Sequence, residues 1–466
     1  MKESTMSTKP FVYPFCYIGN YYLFDVNRNQ IIKVPKQVYS AIVSNNEDIP
    51  AIVRECINNL LEEGYLLPND VVEIFNPLDK YKEDDLNGHL KGMILQVTQN
   101  CNLKCRYCIY AGNTNLSRGH TSKNMTWEVA KKSIDFFAEK SIFSQTVEVG
   151  FYGGEPLLSF EMLKKCVDYL SAKLYDRVVR YKITSNGTIM DDDILSFLEE
   201  NDIDFTVSID GTENIHNANR RYAYDGRGSF EKIINNLTFM KSKNPDYYKK
   251  KVQFNSVIAS QEKWDEIMYF FKTNELFKDN PVFLNNVSDN YLKESYKGSS
   301  DQRANNERIK FDSMMAKYYN TEKPYYGSIA DEITRLRKLF SPMEPLPSQR
   351  HHLGPCMPGY RHLFVDVVGN LRVCEKASEK SKHLIIGNVD YGFDFDAISK
   401  LLNIGQMTDE ECKMCPFIRS CKICAVSIDS VDKLSIEKKF QLCKHNKKKI
   451  INDLKDYVIY KEVGLI

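Results

Sequence analysis

Three cysteines near position 100 are the residues of this chain whose type and spacing most clearly favour chemistry. Cys101, Cys105 and Cys108 lie in the segment QNCNLKCRYCIY, directly after the strand-like run MILQVT. Iron in a 4Fe-4S cluster takes thiolate ligands. A loop with three and then two residues between its cysteines can hold three corners of one cluster and leave the fourth iron open. The spacing therefore predicts an iron-sulfur site that can bind a further molecule.

The alternative interpretation of these cysteines is a structural zinc site. Such a site uses four closed ligands, commonly arranged as two separated pairs. Here the sequence offers no nearby fourth cysteine, and His120 lies twelve residues downstream of Cys108. A zinc-binding regulatory protein whose N-terminal domain binds DNA is thus the alternative from a different functional class. Iron content would separate it from an enzyme.

A second concentration of cysteines lies between residues 356 and 443, where seven occur. They are Cys356, Cys374, Cys412, Cys415, Cys421, Cys424 and Cys443. Cysteine pairs separated by two residues are common in zinc ribbons, so this region alone favours zinc. Clustered cysteines in a reducing cytosol hold metal or do chemistry more often than they form disulfides. The first cysteine loop shifts the expectation for the second group towards iron.

Composition and charge exclude several functional classes. A chain of 466 residues with 42% hydrophobic content can form two to four domains with buried cores. Its 63 basic and 62 acidic residues give a formal net charge of +1, which provides no broad field for nucleic acid or an anionic membrane. No apolar run approaches the roughly 18 residues needed to cross a bilayer. We therefore expect a cytoplasmic protein with no nucleic-acid and no membrane partner.

The cysteines need a scaffold, and the sequence from Met93 onward predicts one by alternating strand-like and helical segments. Strands are expected at 93–98, 147–152, 179–184, 204–209, 252–258 and 282–287. Helical segments lie between them, for example at 126–140. Such alternation predicts an α/β fold with parallel strands, as an open doubly wound sheet or an incomplete (β/α) barrel. The first cysteine loop would follow the carboxyl end of a strand, where barrels place active sites.

The N-terminal residues predict a small domain that resembles a winged helix. Residues 21–34 predict two strands around an Asn27-Arg28-Asn29 turn. Apolar residues at helical spacing predict a helix from about 50 to 63 that ends at Gly64. Residues 70–89 are charged and lack a period, which is typical of a linker. The helix carries mixed charges and no basic cluster, which favours binding of peptide over DNA.

The three cysteines of the first loop, with Tyr107 just before the last of them, resemble the signature of the radical S-adenosylmethionine superfamily. The resemblance implies a partial (β/α)6 barrel over residues 90–310. It also implies that the open iron chelates the amino and carboxylate groups of S-adenosylmethionine. An electron from the cluster would then split the cofactor to give a 5'-deoxyadenosyl radical, so that the cofactor performs the hard step.

Further residues match this family in their order along the chain. Gly153, Gly154 and Glu155 resemble its glycine-rich segment, where backbone and carboxylate meet the methionyl amino group of the cofactor. Three more residues, after the next two predicted strands, resemble its ribose and carboxylate contacts: Ser185, Ser208 and Arg221. The resemblance thus implies that these six residues and Tyr107 bind S-adenosylmethionine.

The seven C-terminal cysteines resemble the SPASM extension of radical enzymes, in which two auxiliary 4Fe-4S clusters are held. The resemblance implies three 4Fe-4S clusters in all. The implied ligands are Cys356, Cys374 and Cys424 for the first auxiliary cluster, and Cys412, Cys415, Cys421 and Cys443 for the second. Seven thiolates cannot fill eight corners, so one iron would stay open unless His351 or His352 closes the first auxiliary site.

The resemblance narrows the expected function to peptide maturases of the ranthipeptide or sactipeptide type. It implies a precursor-recognition domain at 1–85, the barrel at 90–310 and a SPASM domain at 345–466. The expected partners are a ribosomally synthesised, cysteine-containing precursor peptide and an electron donor such as flavodoxin or ferredoxin. The expected product is a cysteine thioether crosslink, and no residue indicates whether the α, β or γ carbon is attacked. The alternative is an anaerobic sulfatase-maturase type of enzyme, which makes formylglycine.

Overall fold

The computed structural model describes residues 9–44, 48–111, 117–259, 263–286, 315 and 326–466. Its N-terminal part is a three-stranded antiparallel sheet followed by two helices. The strands are β1 (Val12–Tyr17), β2 (Asn20–Asp25) and β3 (Gln30–Val34), and the helices are α1 (Lys36–Ser44) and α2 (Ala51–Glu62). The sheet has the order β1-β2-β3, so β1 and β3 are its edge strands.

The hairpin predicted from the sequence is present, with one strand more than the pattern indicates. β2 pairs with β3, and Asn29 in the turn has a φ of 54°, a left-handed conformation that asparagine tolerates. Gly64, with a φ of 83°, follows the end of α2 as predicted. The sequence pattern does not predict β1. This strand contains Pro14, and proline weakens a strand signal.

The centre of the chain is a parallel sheet with helices between its strands. The strands are β4 (Gly92–Thr98), β5 (Thr146–Gly153), β6 (Val178–Ser185), β7 (Asp204–Ser208), β8 (Val252–Ile258) and β9 (Val282–Asn286). They are neighbours in sequential order, as in a (β/α) barrel, without the reversal of a doubly wound sheet. Each predicted strand lies within one residue of these bounds. Residues 287–310 of the predicted barrel domain lie outside the described residues.

Helices precede and connect these strands. They are α3 (Lys82–Leu86), α4 (Trp127–Lys140), α5 (Phe160–Lys173), α6 (Asp192–Glu200), α7 (Glu213–Asn219), α8 (Phe230–Lys243), α9 (Pro245–Lys251) and α10 (Trp264–Thr273). In α4, Thr126 caps the first turn by accepting a hydrogen bond from the Val129 amide at 3.3 Å. Ala130, Ile134 and Phe137 are buried at a spacing of four and three residues, which forms one apolar face.

The C-terminal region extends the central sheet. Its elements are α11 (Tyr326–Leu339), β10 (Leu363–Val365), β11 (Asn370–Arg372), β12 (Ile385–Asn388), β13 (Gly392–Phe393), α12 (Phe395–Leu402), α13 (Asp409–Lys413) and α14 (Ile436–Glu462). β10 lies parallel beside β4, with Leu363 opposite Met93. β11, β12 and β13 then continue antiparallel from β10. The strand that leads into the first cysteines therefore pairs directly with the C-terminal region.

The N-terminal sheet packs against the C-terminal region. Phe24 of β2 contacts the rings of Phe340 and Phe417, with centroids 5.8 and 6.4 Å away. Buried Arg419 donates to the backbone carbonyls of Val26 and Asn27 at 2.8 and 2.9 Å. The sheet therefore shares an apolar core with the C-terminal residues.

The segment expected to be a linker is also docked on the C-terminal region. The Asn76 amide donates to the side-chain oxygen of Asn403 at 2.8 Å. The Ser399 hydroxyl donates to the Asp79 carboxylate at 2.8 Å, and residues 77–81 form a short 3-10 helix. This charged segment, which lacks a helical or strand periodicity, is thus ordered here, because its polar groups form hydrogen bonds with Ser399 of α12 and with Asn403.

No helix among the described residues has the length and apolar character that crossing a bilayer requires. The longest, α14, has 27 residues but carries charged side chains along its whole length.

Candidate metal centre

The first cysteine loop follows β4 and is held by bonds to its own sulfurs and carbonyls. The Leu103 amide donates to the Cys101 sulfur, and the Tyr110 amide donates to the Cys108 sulfur, each at 3.4 Å. The Cys108 amide donates to the Cys105 carbonyl at 3.2 Å. Amides directed at two thiols favour their deprotonated form, which is the form that binds iron.

Burial makes these thiols poor acids until a metal binds. It raises the pKa of Cys101 and of Cys105 to about 12, and the charges of the neighbouring thiolates add to this. The three sulfurs are therefore close enough to repel one another when ionised. Bound iron would displace the protons of the thiols, because the positive charge of a coordinated cation stabilises the thiolate form.

The described cysteine sulfurs do not gather as closely as a single zinc ion would hold them. A zinc ion about 2.3 Å from each sulfur would hold tetrahedral thiolates about 3.8 Å apart. Within the part of the chain that the structure describes, no three cysteine sulfurs all lie within 4.8 Å of one another. The interacting thiols of the loop are thus spread wider than one zinc ion requires.

Gly153 and Gly154, at the end of β5, allow the backbone to approach the cysteine loop closely. A Cβ on Gly153 would lie 2.1 Å from the Thr98 carbonyl oxygen, and one on Gly154 would lie 2.0 Å from that of Asn100. Gly153 also has a φ of 146°, which favours glycine. The predicted cofactor-binding glycines therefore also position the segment that carries the cysteines.

Glu155 is fully buried, and its carboxylate joins the ends of β5 and β6. It accepts hydrogen bonds from the Asn186 amide at 2.6 Å, the Ser185 hydroxyl at 2.9 Å and the Leu157 amide at 3.1 Å. Burial raises the pKa of Glu155 to about 7, although these hydrogen bonds lower it. Two predicted cofactor residues, Glu155 and Ser185, are thus in direct contact.

Asn186, beside Ser185, connects this group to the first cysteine. Its side-chain amide donates to the Asn102 oxygen at 2.7 Å and reaches the Cys101 sulfur at 3.9 Å. Ser208 is buried at the end of β7. The ends of β4, β5, β6 and β7 lie on one edge of the parallel sheet, which is the edge where barrel enzymes carry their active sites.

An ion pair behind the loop holds Tyr107. The Asp210 carboxylate accepts a hydrogen bond from the Tyr107 hydroxyl at 2.5 Å and pairs with Arg220 at 3.0 Å. The Arg220 guanidinium lies 5.3 Å from the centre of the Tyr107 ring. Burial raises the pKa of Cys105, and the positive charge of Arg220 opposes this effect without cancelling it. Tyr107 is therefore held by its hydroxyl and by its ring.

The predicted Arg221 and its neighbour Arg220 take different positions at the end of α7. The Arg221 side chain is exposed and donates to the Gly226 carbonyl at 3.0 Å, whereas Arg220 is buried beside the cysteines. Sequence reasoning did not select Asp210 or Arg220. Asp210 could have been found, because it follows the end of β7 as the other predicted residues follow their strands.

Four of the C-terminal cysteines surround one cavity of about 180 Å³. They are Cys412, Cys415, Cys421 and Cys443, as predicted together for one auxiliary cluster. Burial raises the pKa of Cys421 to about 12, and the charges of the other three add to this. His352 lines the same cavity, and its Nε2 is buried without a hydrogen-bond partner. The donor set fits a cluster with four thiolates.

The other three C-terminal cysteines form a second group. Burial raises the pKa of Cys374 to about 12, with further contributions from Glu375, Cys424 and Cys356. Neither histidine suggested as a fourth ligand faces this group in the observed contacts. His351 Nε2 accepts a hydrogen bond from the Gly405 amide at 2.8 Å, and His352 lines the other cavity.

Residues 95–295 match the family model of the Radical SAM superfamily. The match covers about 43% of the chain and runs from within β4 to beyond β9. That superfamily implies a 4Fe-4S cluster and S-adenosylmethionine, and the cysteine loop after β4 provides thiolates of the required kind.

Two curated relatives and one solved structure illustrate the similarity. An uncharacterized protein of Methanocaldococcus jannaschii is 35% identical over 33% of this chain and 50% of its own length. A cysteine-type anaerobic sulfatase-maturating enzyme of Clostridium novyi is 28% identical over 40% of this chain and 49% of its own. The chain thus spans about half the length of these relatives. The solved structure of native anSMEcpe with bound AdoMet has a TM-score of 0.53 and 21% identity, covering 78% of this chain and 98% of that one, which shows a shared fold.

The C-terminal region reaches the first cysteine loop through Glu379. Its carboxylate accepts hydrogen bonds from Gln96 of β4 at 2.5 Å and Gln99 at 2.7 Å, and it pairs with Arg118 at 2.7 Å. The Arg118 guanidinium in turn lies 4.2 Å from the centre of the Tyr110 ring. One buried carboxylate therefore connects the strand before the cysteines, the segment after them and the C-terminal region.

Proposed function

We propose that this chain is a radical S-adenosylmethionine peptide maturase that forms cysteine thioether crosslinks in a ribosomally synthesised precursor peptide. The observation that carries the proposal concerns Tyr152 of β5. Burial raises the pKa of Tyr152, and the next largest contributions are the negative charges of Cys108 and Glu375. Glu375 follows Cys374, so Tyr152 lies near Cys108 of one group of three cysteines and near the neighbour of Cys374 in the other. Each group has one ligand fewer than a cluster needs.

The roles of the cysteines follow from this arrangement. Cys101, Cys105 and Cys108 would hold the radical cluster, and the C-terminal groups of three and four cysteines would hold the first and second auxiliary clusters. When bound, the radical cluster and S-adenosylmethionine supply the radical that takes a hydrogen atom from a carbon of the peptide. The open site at Cys356, Cys374 and Cys424 would hold the sulfur of the substrate cysteine near that carbon.

The remaining site residues would bind S-adenosylmethionine and exclude water. Gly153 and Gly154 bring the backbone against the cysteine loop, and Glu155 fixes Ser185 at the next strand end. Tyr107, Ser208 and Arg221 complete the proposed cofactor contacts. An electron donor such as flavodoxin or ferredoxin would reduce the radical cluster in the cytoplasm.

We assign recognition of the precursor leader to residues 1–85, the partial (β/α)6 barrel to 90–310 and the SPASM domain to 345–466. β3 is an edge strand of the N-terminal sheet, and such an edge can accept a peptide as an added strand. The sulfatase-maturase structure is covered almost completely by this chain, yet covers only 78% of it. About a fifth of the chain thus lies beyond that shared part, which leaves room for a recognition domain.

The reaction is tested by mass spectrometry. Anaerobically reconstituted protein, reductant, S-adenosylmethionine and a cysteine-containing precursor should give a product two mass units lighter for each crosslink, because one carbon-bound and one sulfur-bound hydrogen are lost. An unchanged precursor mass under conditions that consume S-adenosylmethionine would contradict the proposed reaction. The matched control replaces the precursor cysteine with serine, which should abolish the change.

The clusters are tested by iron and sulfide analysis with electron paramagnetic resonance. We expect about twelve irons per chain, falling to about eight when Cys101, Cys105 and Cys108 are all replaced by alanine. Bound zinc with little iron would refute the radical function and support the regulatory alternative.

A sulfatase-maturase type of activity is the second candidate, because relatives with that name match this chain. Such an enzyme would convert a cysteine or serine side chain to formylglycine and would need no leader. Since the N-terminal sheet shares a core with Phe340 and Phe417, deleting it would confuse binding with folding. Hydrogen exchange on the intact chain avoids this difficulty. A leader that adds to β3 should slow amide exchange within Gln30–Val34, whereas a sulfatase peptide should not.

A further inference from the structure

Lys439 is a fully buried lysine beside the four-cysteine cavity. It lies in the first turn of α14, four residues before Cys443 and thus on the same face of the helix. Lysine is almost never fully buried unless it is paired. Its surroundings therefore require an explanation.

The partners of Lys439 account for all three of its donors. Its Nζ atom donates to the Thr408 hydroxyl at 2.6 Å, the Gly405 carbonyl at 3.2 Å and the Cys412 sulfur at 3.8 Å. An ammonium group has three donors and no acceptor, so this geometry is that of the charged form. Among the hydrogen bonds and ion pairs of the described residues, none joins Lys439 to a carboxylate.

A buried charge without a counter-charge is costly, because the lost hydration is not repaid. Other groups that face Lys439 are His351 and His352, whose pKa values its charge lowers, and these provide no negative charge. The only source of negative charge in contact with Lys439 among its described partners is the cysteine thiolate. Four thiolates outweigh the positive charge of a 4Fe-4S core, so a cluster in this cavity would supply the missing anion.

We infer that Lys439 is a positioning residue that compensates the charge of the second auxiliary cluster and raises its reduction potential by donating a hydrogen bond to Cys412. The inference rests on the proposed function, since it requires a cluster in the cavity of Cys412, Cys415, Cys421 and Cys443. Hydrogen bonds to cluster sulfurs and nearby charge are among the factors that set such potentials. Reduction adds an electron, and the buried ammonium stabilises the more negative state.

The test compares Lys439→Met with Lys438→Met in the full chain. Methionine has a similar length and no charge, and Lys438 carries the same charge one residue earlier but donates to the Asp429 carbonyl at 2.5 Å. Potentiometric titration followed by electron paramagnetic resonance should show one cluster signal moving to lower potential in Lys439→Met. The same signal should be absent from Cys415→Ala and should keep its potential in Lys438→Met. An unchanged potential in Lys439→Met would overturn the inference.

A second measurement covers the case in which Lys439→Met loses its cluster. We expect the metal-free variant to unfold at the same or higher urea concentration than the metal-free parent, because a buried charge has been removed. The loaded variant should release iron to a chelator faster than the loaded parent. Equal destabilisation of the metal-free and loaded forms would instead indicate a structural role and refute the inference. Failure of the unaltered chain to bind about twelve irons would refute the proposed function, which separates the two failures.

Discussion

Replacing Glu155 with glutamine tests whether this buried carboxyl group, which joins the ends of β5 and β6, keeps its proton up to about pH 7 in the folded chain. In the structure, Oε1 accepts from the Leu157 amide and the Ser185 hydroxyl, and Oε2 accepts from the Asn186 amide. Glutamine retains one oxygen for the first two donors. It places an NH2 group opposite the Asn186 amide, so that two donors face each other. We therefore expect local loss of order at the end of β6.

The expected cost can be worked from these contacts. Leaving one buried amide without an acceptor costs about 1–3 kcal/mol. Removing the carboxylate also removes the desolvation that raises the pKa of Glu155 from 4.5 to about 7. A difference of 2.5 pKa units between the folded and unfolded chain corresponds to about 3 kcal/mol. The two effects have opposite signs above pH 7.

The dependence on pH follows from proton binding. Between pH 4.5 and about 7 the folded chain retains a proton on Glu155 that the unfolded chain has released, so the free energy of unfolding falls as the pH rises. Above about 7 the loss is complete. Glu155→Gln has no such group, so it should be less stable than the parent at pH 5. The difference should shrink or reverse by pH 8.

Urea unfolding of the metal-free protein across this range measures the difference in free energy. Ser185→Ala is the matched control, since it removes one hydrogen bond to Glu155 and leaves the ionisable group in place. It should lower the free energy of unfolding more at pH 8 than at pH 5, because the lost hydrogen bond lowers the pKa of Glu155 and so favours its ionised form. This trend is opposite to the one expected for Glu155→Gln. A difference between Glu155→Gln and the parent that stays constant over this range would show that Glu155 is ionised throughout, and the reasoning would be refuted.

Two further substitutions test the packing around the cysteine loop. Gly154→Ala would place a methyl group 2.0 Å from the Asn100 carbonyl oxygen. We therefore expect the free energy of unfolding, measured with urea, to fall by at least about 1–3 kcal/mol. We also expect the variant to bind less iron, measured by iron analysis. Gly150→Ala, whose nearest neighbour atom lies 3.4 Å away in a side chain, should retain iron. Asp210→Asn would leave the buried Arg220 without its counter-charge, so we expect a loss of about 3–5 kcal/mol in the same urea assay, and parental stability would contradict this.

The sequence predicts the central strands well because their signal is local. Each of β4 to β9 is a run of apolar and β-branched residues bounded by turn or helix signals, and the predicted bounds lie within one residue. The strands β10 to β13 have two to four residues each, which is too short for a periodic pattern. The pairing of β10 with β4 depends on contacts between residues about 270 positions apart. Such contacts leave no local signal.

The choice between Arg220 and Arg221 shows a different limit. Arg220 has an extended backbone, with φ of −105° and ψ of 100°, so consecutive side chains point to opposite sides. Which arginine faces the cysteines depends on where α7 ends, and the bounds of a helix are among the least certain features of a sequence pattern. The sequence thus predicts an arginine at the end of α7, but it does not indicate which of the two is buried beside the cysteines.

The relative position of the two cysteine groups is set by a sheet and a buried carboxylate. β10 pairs with Met93 to Leu95 of β4, the strand that leads to Cys101. Glu379, five residues after Cys374, binds Gln96 and Gln99 on either side of the end of β4. A flexible linker would let the two groups move independently, whereas these bonds fix the distance between them. If a substrate bound at one group, it would be held relative to the other, which the proposed joining of a carbon radical to a sulfur would require.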